Sequence, residues 1–144
     1  MKNETIAGLT DEEIFRLESE DIDNSQRIEI ESKLASYIGN NPKDLPALML
    51  ASGVISDPFM RNYYVMALAD IARKGKDRQA YSLGIIASRL NGRSAVADEL
   101  YSEMKRKHPV RARVVNLFSK ILCKKYEKGS NQDDYPVDSG GKFS

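Results

Sequence analysis

Met60, Tyr64, Leu68 and Ile71 recur at spacings of four, four and three inside SDPFMRNYYVMALADIARKGKD. Only a helix brings such positions onto one face, because a strand alternates its side chains at every residue. The flanks agree. Asp57 stands at the N-cap with Pro58 in the first helical position, while Arg73 and Lys74 occupy the last turn before Gly75.

The same grammar recurs along the chain. TDEEIFRLESE opens with a capping box of Thr10 and Glu13, and RIEIESKLASYIGNN carries Ile30, Leu34 and Ile38, with Gly39 at the expected left-handed C-cap. Ala47 to Gly53 is short and apolar nearly all round, as a buried helix is. Asp77 caps DRQAYSLGIIASRLNG, in which Gly84 permits close helix contact or weakens the helix. Ser94 starts another helix, and Pro109 disfavours helical geometry at His108, predicting a break before VRARVVNLFSKILCKKYEKG. No alternating run competes as a strand.

The expected fold is therefore all-α: one compact domain of about six or seven helices, as a bundle or as stacked helical hairpins. Its expected bounds are a flexible N-terminus at 1–9, the domain at 10–128 and a disordered, polar tail at 129–144. The expected core includes Ile30, Leu34, Ile38, Leu48, Leu50, Tyr64, Leu68, Ile71, Ile85, Ile86 and Leu100. Val114, Leu117, Phe118 and Ile121 complete it, because with Val110 they span only about 100° of a helix.

Chemistry is sparse. The single histidine, His108, and single cysteine, Cys123, are fifteen residues apart in or beside one helical segment. At 1.5 Å per residue an unbroken helix separates them by about 22 Å, too far for a nucleophile–base pair. One Cys and one His do not make a structural zinc site. Asp21-x-Asp23-x-Ser25 opens like a calcium loop but places Gln26 where glycine is required and Ser32 where glutamate is. Phosphate-loop motifs are absent. No catalytic, cofactor-binding or metal residue is expected, and the chain is not expected to be an enzyme. With one cysteine, no signal-peptide pattern and no apolar run near 18 residues, the expected location is the reducing cytoplasm, with no membrane partner.

Charge is the remaining signal. The net value of +1 conceals five basic and eleven acidic residues in 1–50, against fifteen basic and five acidic in 73–128. Arg113, Lys120 and Lys124 fall within about 40° of each other beside the apolar arc of the last helix. Arg106, Lys107 and Arg111 surround Pro109, and Arg73, Lys74 and Lys76 surround Gly75. These nine form the candidate anion or partner surface. Complementing helix dipoles and covering core edges accounts for many of the same cations. A helix-turn-helix around Asn91-Gly92 fits poorly, since Asp98 and Glu99 sit in its would-be recognition helix.

The expected function is a non-enzymatic protein–protein interaction module: an adaptor, chaperone-like factor or regulator. It would bind another, possibly acidic, protein or a copy of itself, in a groove edged by Tyr63, Tyr64 and Tyr81. The alternative is a nucleic-acid-binding or packaging protein using segment 73–128.

Overall fold

The computed structural model describes residues 7–19 and 21–130, with side chains to 125. Every regular element among them is helical: α1 (Asp11–Leu17), α2 (Asn24–Asn40), α3 (Leu45–Val54), α4 (Pro58–Gly75), α5 (Arg78–Leu90), α6 (Ser94–Lys107) and α7 (Pro109–Ser130). The chain is all-α, as its periodicity requires. The expected tail from 131 onward lies outside the described residues, and 129–130 belong to α7.

Local chemistry sets most helix starts. Thr10 accepts from the Glu13 backbone N–H while the Glu13 carboxylate accepts from the Thr10 backbone N–H, completing the capping box. Asp44, Asp57 and Asp77 each accept a backbone N–H at the start of α3, α4 and α5. One expected end differs: Gly39 lies inside α2, which Asn41 terminates. α4 ends at Gly75 as expected, with Lys76 as its left-handed C-cap at φ 54°.

From α3 onward each helix packs on the next and on the one after: α3 on α4 and α5, α4 on α5 and α6, α5 on α6 and α7. That pattern is a stack of helical hairpins. α5 is its centre, with Ala80, Tyr81, Gly84, Ile85, Ala87, Ser88 and Arg89 all buried. A Cβ built on Gly84 would lie 3.0 Å from Leu100 Cδ1, so glycine here admits α6.

Two apolar clusters fill the stack. The first joins α1 to α4 and includes Leu17, Leu34, Leu48 and Leu68. Ala7 and Leu9 are buried in it too, so the chain is anchored before the Thr10 cap. The second joins α4 to α7 through Ala72, Tyr81, Ile85, Leu100, Met104, Ala112 and Val115. Tyr64 and Tyr81 are buried in different clusters, and only Tyr63 is exposed, so the expected tyrosine-edged groove does not form.

Candidate interaction surface on the last helix

α7 is turned the opposite way from its expected orientation. The residues it buries are Ala112, Val115 and Ser119, with Asn116, Leu122 and Cys123 half-buried. The residues expected in the core face solvent: Val114 is 60% exposed, Leu117 60%, Phe118 50% and Ile121 54%, with Val110 at 72%. At 100° per residue the stripe and the buried face are centred about 150° apart, nearly opposite.

The physical reason is Arg89. It is 6% exposed on the central helix. Its Nε donates to Ser119 Oγ at 3.2 Å, one terminal nitrogen donates to Asn116 Oδ1, and the other meets Asp98 Oδ1 at 3.2 Å. Ser119 also donates to the Asn116 carbonyl, and Cys123 Sγ approaches the Arg89 carbonyl at 3.7 Å. Asn116 and Ser119, expected to continue the wet side, are inside because a buried guanidinium needs them.

Magnitudes favour this orientation. Covering the stripe would gain roughly 1 kcal/mol per residue, about 5 in all. Turning it inward would strip Arg89 of two partners, at about 3–5 kcal/mol for a broken buried charge network. It would also force Leu117 and Phe118 into room sized for Ala112 and Ser119, at about 1–3 kcal/mol per overpacked side chain. The outcome is a helix with two sticky faces, one packed and one open.

Of the nine expected cations, two are already engaged. Arg73 pairs with Glu99 at 2.7 Å and Glu103 at 3.4 Å, and Lys74 pairs with Asp70 at 3.3 Å. Lys76, Arg106, Lys107, Arg111, Arg113, Lys120 and Lys124 are exposed and form no ion pair among the described residues. Arg113, Lys120 and Lys124 run along one flank of the stripe and Arg111 along the other.

The cations around Gly75 and those around Pro109 come near each other at Tyr81, which feels both Arg73 and Arg106. Tyr81 donates to Glu103 at 3.3 Å, and Glu103 also holds Arg73. Burial chiefly raises the Tyr81 pKa, helped by the Glu103 charge and hydrogen bond and opposed by the nearby Arg73 and Arg106. Beside this cluster, Arg78, His108, Pro109, Val110, Arg111, Val114 and Val115 line an open recess of about 470 Å³. The stripe therefore continues into a cation-edged hollow at its N-terminal end. Sequence reasoning did not single out Arg89, whose signal was an arginine on the otherwise apolar IIASRL turn.

The single histidine and the single cysteine are not brought together. α7 runs unbroken from Pro109, which leaves Cys123 far along the helix from His108. Among the described residues no three His, Cys, Asp or Glu side chains converge as metal ligands, and no helix is long and apolar enough to cross a membrane. Comparison with known protein families, with curated proteins and with solved structures finds no match to this chain.

Proposed function

We propose that this chain is a non-enzymatic interaction module whose docking face is the outward side of α7. One observation carries the reading: five large apolar residues, each at least half exposed, form a continuous stripe directly opposite the face that α7 packs. Exposed apolar residues scattered singly need no explanation, but a contiguous stripe at helical spacing marks a surface that another molecule covers. The helix-in-groove mode of recognition uses such anchors.

The unpaired cations favour a second reading, nucleic acid, because seven expected positions remain free to meet phosphates. The first reading is preferred because the outermost residues of α7 as far as Ile121 are apolar, and Arg111, Arg113, Lys120 and Lys124 stand at the flanks. A phosphate surface would reverse that arrangement.

A photo-crosslinking residue at Leu117, introduced in cells of the protein's source, tests the choice. A protein adduct at Leu117, absent from the same probe at exposed Gln79, supports the docking face. Adducts with nucleic acid alone, together with tight binding of short DNA or RNA that weakens linearly in log salt, would replace it with the second reading. No adduct of either kind would sink both.

A further inference from the structure

We infer that the molecule covering the α7 stripe is a second copy of this chain, stacked head to tail, with the acidic end of the helical stack as the receiving surface. The inference rests on α7 being a docking face and names its occupant.

Topology is the first argument. In a stack of hairpins each helix is covered by its successors, and the terminal element normally turns a polar face outward to close the array. α7 is the last described helix, and its outward face is apolar. Among the described residues the stack is open at that end.

Charge then selects the occupant. Between Pro109 and Lys125, α7 carries Arg111, Arg113, Lys120, Lys124 and Lys125 and no acid. Pairing two α7 faces symmetrically would bring like charges together along the whole contact, which costs affinity. The fitting surface is apolar, concave and acidic, and the other end of the same chain has one. Leu17, Glu18, Met49, Leu50, Gly53 and Val54 line an open recess of about 590 Å³ between α1 and α3. On the outward side of α1, Phe15 is 72% exposed and shares its face with Asp11 and Glu18, of which Glu18 also lines the recess; neither acid forms an ion pair among the described residues.

A ridge with cationic flanks and a hollow edged by Glu18 thus sit at opposite ends of one stack. α7 packs on α5 and α6 and makes no substantial contact with α1, α2 or α3, so one molecule does not satisfy both. The contact is heterologous and extends into rings or filaments.

The test uses the purified full chain and two variants. Leu117→Asp with Phe118→Asp disables the ridge, and Phe15→Lys with Glu18→Lys disables the hollow. All four positions are exposed, and unchanged far-UV circular dichroism and melting confirm folding. In sedimentation velocity, the wild-type mass should climb above 16.2 kDa with concentration and fall as salt is added. Each variant alone should stay monomeric. Mixed, they should give a 1:1 complex that grows no further, because each supplies one intact end. A Phe118→Cys chain should also cross-link to a Glu18→Cys chain and not to itself.

Wild-type chain that remains at 16.2 kDa up to about 1 mM overturns the inference. So does a symmetric dimer that survives substitution at Phe15 and Glu18, or a mixture that forms no complex. If the chain is monomeric while Leu117 captures a different protein in cells, the docking face stands and self-stacking falls. If Leu117 captures no protein either, both fall.

Discussion

Arg89 decides more of this structure than any other side chain. All three of its guanidinium nitrogens are engaged, by Ser119, Asn116 and Asp98. Lysine offers a point charge where arginine offers a planar fork, so Arg89→Lys should cost about 2 kcal/mol, and Arg89→Met, which orphans Asn116 and Ser119, about 3. Urea denaturation measures both. A loss below 0.5 kcal/mol (about the scatter of ordinary surface substitutions) would show that the cluster does not hold α7. Gly84 is constrained by packing. The fully buried Leu100 methyl lies 3.0 Å from where a Cβ would stand, so Gly84→Ala should destabilise by about 1–2 kcal/mol despite alanine's higher helix propensity. Lys76 is constrained by its backbone, at φ 54°. Relieving a left-handed lysine at a C-cap should make Lys76→Gly more stable by about 1 kcal/mol in the same assay.

At the scale of the element, the helices and most of their ends were legible because caps are local chemistry. Asp57-Pro58, Asp77 and the Thr10–Glu13 box act within a few residues, and each does in the structure what the sequence predicts. The orientation of α7 was not legible. Its sequence carries two faces that both suit burial, a wide one of large side chains and a narrow one of Ala112, Val115 and Ser119. Choosing between them depends on Arg89, which lies 27 residues from Asn116 and 30 from Ser119. Periodicity finds a helix's faces, and a long-range polar partner selects among them. The first helix offers a pH prediction. Glu13 accepts from Lys33 and Thr10, and the Lys33 hydrogen bond is the largest reason its carboxyl is held below the usual 4.5. The unfolded chain lacks that partner, so the contribution is fully present above about pH 4.5 and disappears as pH falls through the lowered folded value. Gln keeps the cap and loses the ion pair. Thermal midpoints of Glu13→Gln and wild type should therefore differ at pH 7 and converge as the pH falls through the lowered folded value.

For the whole molecule, the charge asymmetry visible in the sequence acquires a geometry. Acids gather where the stack begins and unpaired cations where it ends, with an apolar surface exposed at each. What the sequence did not carry was the openness of the last helix, because an apolar arc reads as core wherever the partner is unseen. The self-stacking proposed for this open face has a thermodynamic consequence. If native chains associate through the stripe and unfolded chains do not, mass action stabilises the native state, and the melting temperature rises with protein concentration. Replacing Leu117 and Ile121 with lysine removes apolar surface that the monomer leaves in water, and adds to a helix face already basic. In dilute solution the double variant should therefore melt within a few degrees of wild type, since exposed substitutions away from buried networks change stability by at most about 0.5 kcal/mol each. Concentrated, the two should part. Wild type should gain several degrees over a hundredfold increase in concentration, and the variant should gain none. Scanning calorimetry at both extremes reads the difference directly. A variant that melts far lower even when dilute would mean that the stripe is buried within the monomer, and that α7 faces the way its periodicity first suggested.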